Sequence, residues 1–301
     1  MKTSLDCIPC FLRQSLDAAR LASDDPRVHE AVVREVAEKA ACMNVAEPPP
    51  VIGQKIHRII RKLTGMSDPY RDLKDRLNQI ALRLYPGLKR RVQASRDPFE
   101  IAVRLAIAGN VIDCGVYSQI AEKDIKRAID EALAARIDTV TLEGFRQAVS
   151  AAGEIFYIAD NAGEIVFDRL LIEELPLQKI VVAVKGHPVI NDATRSDAEA
   201  AGVTGLVTVI DNGSDAPGTI LEDCSETFRR RFHEADVVIA KGQGNYETLS
   251  DADREIFFLL KAKCPVIADD IGCESGSVVI SRSVPLKRAQ DDAKEQSHAG
   301  I

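Results

Sequence analysis

Ile155-Phe156-Tyr157-Ile158-Ala159-Asp160-Asn161-Ala162-Gly163-Glu164 is the stretch on which the fold of this 301-residue chain turns. Five apolar residues run without a polar break, then yield to two oxygen-bearing side chains, a glycine and a glutamate. A continuous apolar run of this length suits a strand buried on both faces, as in a parallel sheet. Asp or Asn followed by Gly suits a turn into a helix. Similar apolar runs recur at 179–184, 206–210, 237–240 and 266–268, and 277–281 offers one more. Helical patterns fill the gaps at 164–174, 193–201, 219–233 and 246–262. Such alternation predicts an α/β fold with a doubly wound, mostly parallel, Rossmann-like sheet.

Upstream of this region the periodicity is helical. Asp24-Asp25-Pro26 opens a helix with Val28, Val32, Val36 and Ala40 on one face, and Pro48, Pro49 and Pro50 break the pattern. A second helix carries Ile52, Ile56, Ile59, Ile60 and Leu63. A third starts at Asp68-Pro69 and carries Leu73, Leu77, Ile80 and Leu84, and Asp97-Pro98 opens a fourth. Further helical patterns cover 118–135 and 142–151. The expected organisation is a helical domain over 1–150, an α/β metal-binding catalytic domain over 151–287 and a polar tail over 288–301.

Composition narrows the function classes. Thirty-nine basic against 46 acidic side chains give a net charge of −7, and no dense basic run is present, which excludes a general nucleic-acid binder. Aromatic residues are 5% of the chain and Trp is absent, which disfavours base-stacking platforms. No apolar run approaches the ~18 residues needed to span a bilayer, and the N-terminus lacks the apolar segment of a secretory signal. No membrane partner and a cytoplasmic location are therefore expected. The seven cysteines are dispersed apart from Cys7 and Cys10, which is not a disulfide framework. Cys7-x-x-Cys10 supplies only half of a structural zinc site, and packing, metal and redox roles all stay open for it.

In open α/β sheets, ligands bind beyond the carboxyl ends of the strands. Those positions are polar here: Asp160-Asn161-Ala162-Gly163-Glu164, then Lys185-Gly186-His187-Pro188 with Asn191-Asp192, then Asp211-Asn212-Gly213, then Lys241-Gly242-Gln243-Gly244-Asn245, then Asp269-Asp270. Each alone also reads as a helix cap or turn. Together they bring hard oxygen ligands and a lysine to one sheet edge, a set suited to Mg²⁺ or Mn²⁺ and a phosphate. The expected chemistry is metal-assisted phosphoryl-group hydrolysis.

Four segments carry a resemblance: D-N-A-G-E at 160–164, V-I-N-D at 189–192, K-G-x-x-N-Y at 241–246 and A-G-N-x-I-D at 108–113. In this order they resemble the damage-control phosphatases, long grouped as domain-of-unknown-function family 89, and Cys7-x-x-Cys10 resembles the prokaryotic branch. The resemblance implies a divalent-metal-dependent phosphatase of small phosphorylated metabolites, such as sugar phosphates or damaged and overflow intermediates. Mn²⁺, Ni²⁺, Co²⁺ and Mg²⁺ are the implied activators. It assigns Asp160, Asn161 and Asp192 to the metal and Lys241 to the substrate phosphate. Gly163, Glu164, Gly242, Asn245, Asn110 and Asp113 fall within its substrate-binding segments.

Either water or Asp160 itself is open as nucleophile. The second aspartate of haloacid-dehalogenase-type phosphatases is replaced by Ala162. Two other classes also fit a doubly wound sheet: an S-adenosylmethionine-type transferase, weakened by D-N-A-G at the first turn, and a non-catalytic phosphometabolite-binding module. Nothing in the sequence sets an oligomeric state.

Overall fold

The computed structural model describes residues 1–110 and 122–283. Asp113, Cys114 and the expected tail lie outside the described residues. The first half folds as α1 (Cys7–Ala22), α2 (Pro26–Ala41), α3 (Pro49–Thr64), α4 (Arg71–Gln93), α5 (Pro98–Gly109), α6 (Glu122–Ala134) and α7 (Thr139–Ala151). Pro26, Pro49 and Pro98 stand at helix starts, where a missing N–H costs nothing. Asp25, Asp97 and Asp138 cap α2, α5 and α7 by accepting from Arg27, Glu100 and Val140 N–H at 2.9, 3.0 and 3.0 Å. The proline triplet therefore opens α3, while α2 has already ended at Ala41.

The chain then alternates through β1 (Ile155–Ile158), α8 (Glu164–Ile172), β2 (Ile180–Val184), α9 (Arg195–Ala200), β3 (Thr208–Asp211), α10 (Glu226–Glu234), β4 (Val237–Lys241), α11 (Gly242–Leu249), β5 (Ile256–Lys261), α12 (Pro265–Ile271) and β6 (Val278–Ser283). The sheet order is β3-β2-β1-β4-β5-β6. β1 to β5 are parallel and β6 runs antiparallel to β5. The doubly wound α/β expectation is met.

Two expectations at the C-terminal end are corrected. The fifth strand is Ile256–Lys261, inside the stretch read as a helix over 246–262, and 266–268 lies in α12. A short apolar run is compatible with either state. Pro265 at the first helical turn decides for helix, and pairing with β4 and β6 decides for strand at Ile256–Lys261. Asp269 and Asp270 consequently sit on a helix, where Asp270 accepts from the Tyr246 hydroxyl at 2.9 Å.

Alternate residues of the strands enter two cores. Ile155, Tyr157, Val182, Ile239 and Phe257 face one side, together with Leu77, Ala106, Phe145 and Phe167 from the helices. Phe156, Ile158, Val238 and Phe258 face the other, against Phe228 and Phe232. Residues of α4 to α7 thus share a core with the sheet. A separate cluster of Phe11, Val32, Val36, Ile52, Ile56 and Ile60 unites α1, α2 and α3, and Ile190 of the β2–α9 loop packs against it.

Candidate active site

Strand order reverses between β1 and β4, and the carboxyl ends of strands at such a switch point are where open α/β sheets bind ligands. Asp160 follows β1 and Lys241 closes β4. Residues 191–194 slot between the ends of β1 and β2. Ala162 N–H donates to Asn191 O at 2.8 Å, Ala193 N–H to Asp160 O at 2.7 Å, and Lys185 N–H to Ala193 O at 2.9 Å. Asn161 is bridged antiparallel to Asp192. The structure thus brings Asp160, Asn161 and Asp192 together, 8, 3 and 4% exposed.

Two amides fix the carboxylates. Asn110, at the end of α5, donates from Nδ2 to Asp160 Oδ2 at 3.0 Å and to Glu164 Oε2 at 3.1 Å. Asn161 Nδ2 donates to the same two oxygens at 2.7 and 2.9 Å. With its nitrogen committed, Asn161 offers Oδ1 as its ligand end. Gly163 precedes α8 at φ +76°, and Gly242 opens α11 at the same φ; both conformations favour glycine. Asn245 donates to Lys241 O at 2.7 Å and accepts from Thr219 Oγ1 at 2.7 Å, which ties α11 to β4 and to the Thr219 loop.

Lys241, expected at the substrate phosphate, points into the protein interior. It is fully buried, and Nζ donates to Ala106 O at 2.9 Å, Glu164 Oε1 at 2.6 Å and Asp168 Oδ1 at 2.5 Å. An ammonium has three donors, and all three are used inside the protein rather than facing a substrate phosphate. Burial opposes its charge, yet Asp168 and Glu164 hold its pKa above the usual lysine range. Burial also lifts Asp168 to about 6, against the pull of Lys241 and with repulsion from Glu164 adding to the rise. Tyr157 donates to Asp168 at 2.8 Å.

Lys185, at the end of β2, is the lysine beside the proposed ligands. Its Nζ lies 3.3 Å from Asp192 Oδ2 and donates to Gly218 O. Its position directly after a strand is the signal for it in the sequence. Asp168 and the α4 residue Asn78, which accepts from Gly163 N–H at 2.6 Å, were also missed. Both lie on helices, away from any strand end.

The donor set fits a divalent cation. Among the described residues, the carboxylates of Asp160, Glu164, Asp168 and Asp192 and the ammoniums of Lys185 and Lys241 are buried at this sheet edge. Burying carboxylates this closely together is costly unless positive charge stands beside them. Asp160, Asn161 and Asp192 present carboxylate and amide oxygens, the hard type that Mg²⁺ and Mn²⁺ favour.

Cys7 and Cys10 lie one turn apart on α1, the first half-buried and the second exposed. Among the described residues, no group of three or more His, Cys, Asp or Glu side chains stands where it could hold a metal ion. The completed thiolate site that the pair allowed for is therefore not formed among them. No helix of the described residues is long and apolar enough to cross a membrane.

Residues 3–279 match the family described as the damage-control phosphatase ARMT1-like domain. A damage-control phosphatase of Archaeoglobus fulgidus is 36% identical over 93% of this chain and 98% of its own length. One of Pyrococcus horikoshii is 35% identical over 94% and 99%, and an uncharacterized protein of Methanocaldococcus jannaschii is 37% identical over 93% and 95%. The crystal structure of a DUF89 family protein from Pyrococcus horikoshii superposes with a TM-score of 0.85 at 35% identity, covering 94% of this chain and 99% of that one.

Proposed function

The chain belongs to the damage-control phosphatase ARMT1-like family, and from that premise we propose that it hydrolyses small phosphorylated metabolites with a divalent cation held by Asp160, Asn161 and Asp192. The observation that carries this reading is the convergence of Asp160, Asn161 and Asp192, buried and bridged through the backbone, at the switch point of the sheet. Sugar phosphates and damaged or overflow phosphometabolites are the substrate class, and Mn²⁺, Ni²⁺, Co²⁺ or Mg²⁺ the activator.

When bound, the cation supplies Lewis-acid polarisation of the phosphoryl group and acidification of water. The protein supplies preorganisation. Asn110 and Asn161 lock Asp160 and Glu164 in place, so little reorganisation is needed as charge develops. Lys185, beside Asp192, is the ammonium we assign to the growing charge on the phosphoryl oxygens. Lys241 stays inside as the counter-ion of Glu164 and Asp168. Water attacks phosphorus, the ester P–O bond breaks, and the alcohol leaves with a proton.

The test strips the protein of metal and resupplies Mn²⁺, Ni²⁺, Co²⁺ or Mg²⁺ singly against a panel of phosphate esters, with Asp160→Asn as control. Turnover that depends on added metal and vanishes in the control is expected. Metal-independent turnover would reject the cation, and tight ester binding without turnover would reject catalysis.

A further inference from the structure

We propose that Asn78 of α4, acting with Asp197 of α9, is a positioning residue that sets the spacing between the two loops carrying Asp160, Asn161 and Asp192. The helical half of the chain then tunes cation affinity without contributing a ligand. The inference rests on the metal-dependent reading above.

Arg71, Lys74 and Asn78 recur at three and four positions and so line one face of α4. Asn78 is 2% exposed, and both ends of its amide are used. Oδ1 accepts from Gly163 N–H at 2.6 Å, and Nδ2 donates to Asp197 Oδ1 at 2.9 Å. Gly163 lies two residues beyond Asn161, and its N–H is among the donors that a helix start leaves for outside partners. Asp197 Oδ2 accepts from Thr194 N–H at 2.9 Å and from Thr194 Oγ1 at 2.7 Å. Thr194 lies two residues beyond Asp192 and is bridged to Lys185. One amide therefore spans from the loop of Asp160 and Asn161 to the clamp on the loop of Asp192.

The clamp is held charged. Lys74, fully buried, lies 3.2 Å from Asp197 Oδ2, and Arg71 donates to Oδ1 at 2.9 Å. An amide is the side chain that fits, because it needs an acceptor toward Gly163 and a donor toward Asp197. Aspartate would set a second carboxylate against Asp197, and leucine would leave the Gly163 N–H without this acceptor and Asp197 Oδ1 with Arg71 as its remaining donor. Groups that orient metal ligands typically change affinity by about 10–100-fold when removed.

The experiment is calorimetric titration of metal-free protein with Mn²⁺ alone, on wild type, Asn78→Ala and Leu77→Ala. Leu77 sits beside Asn78 in the core and is 1% exposed. Asn78→Ala is expected to weaken Mn²⁺ binding about tenfold. Leu77→Ala is expected to lose stability while keeping its Mn²⁺ Kd within about twofold, since it touches neither loop through a polar bond. Equal Mn²⁺ Kd values for folded Asn78→Ala and wild type would overturn this inference alone. A wild type that binds no Mn²⁺ would overturn the phosphatase reading with it. Should Asn78→Ala not fold, hydrogen exchange on the wild type decides. Adding Mg²⁺ should slow the Gly163 amide and those of 191–197 together, and protection confined to one loop would overturn the proposal.

Discussion

Gly242 presses its backbone against Asp160: a β-carbon built on Gly242 would stand 1.7 Å from Asp160 Oδ2 and 2.3 Å from its carboxyl carbon. The residue also has φ +76°. Both facts require glycine, one by space and the other by backbone conformation. Gly242→Ala must therefore push the Asp160 carboxylate or the β4–α11 turn aside. A strained residue of this kind costs about 1–3 kcal/mol, and a misplacement near 1 Å costs about 100-fold in rate. The variant is expected to lose about that much in kcat/KM and to bind Mn²⁺ more weakly. Wild-type kinetics in folded Gly242→Ala would show that the contact has no bearing on the site.

Lys241 is the counter-ion of two fully buried carboxylates, Glu164 and Asp168. Lys241→Met leaves both without their ammonium, and breaking a buried pair in this way costs about 3–5 kcal/mol. Asp168→Asn in the same chain removes one of the stranded charges. The double variant should be more stable than Lys241→Met alone, measured by urea unfolding at pH 7. A double variant no more stable than the single would place the loss outside this triad.

The α/β alternation is legible because continuous apolar runs end in polar turns, and the closeness of Asp160, Asn161 and Asp192 is legible because all three stand in such turns, although only the family resemblance singles them out from the other turn residues. Lys241 was located but not its partners: Glu164 was grouped with the substrate segments, and Asp168 lies one helical turn further on, where a carboxylate resembles any surface residue of an amphipathic helix. Asn78 and Lys74 were hidden for the same reason. Their polar atoms face inward only because α4 lies beside α9, a fact of tertiary packing. β5 was missed because Ile256 to Leu260 follows α11 so closely that one helical reading absorbed both. Nothing local separates a buried strand from a buried helix turn there.

Asp160 and Asp192 should differ in what their neutral variants lose. Asp160 carries bonds from two amides and lies at the Gly242 contact, so Asp160→Asn disturbs the proposed ligand set and its frame together. Loss of several kcal/mol of transition-state stabilisation is expected, about 100-fold or more in kcat. Asp192→Asn also frees Lys185 from its 3.3 Å partner. Its signature should be a raised Mn²⁺ concentration for half-maximal activity, with part of kcat recovered at saturating metal. Unchanged metal dependence in Asp192→Asn would remove that residue from the ligand set.

His57 gives the fold an acid-sensitive point away from the sheet edge. It is 2% exposed, its Nε2 has no hydrogen-bond partner among the described residues, and its ring lies 6.1 Å from that of Tyr70. Burial, reinforced by the nearby Arg61 charge, pushes its pKa down to about 3, with Asp215 opposing. In the unfolded chain the ring titrates near 6.5. Between these values the unfolded state binds the proton and the folded state does not, so stability falls as pH falls below about 6.5. The loss from this group is ~2 kcal/mol between pH 7 and pH 5. Asp168 acts in the opposite sense, because its raised pKa lets the folded state hold a proton that the unfolded state has released. The contribution of His57 is therefore isolated by difference. Urea unfolding of wild type and His57→Leu at pH 7 and pH 5 should show the gap between them shifting toward the variant by roughly 2 kcal/mol as the pH drops. A gap that does not move with pH would mean that His57 takes up its proton in the folded state as readily as in the unfolded one.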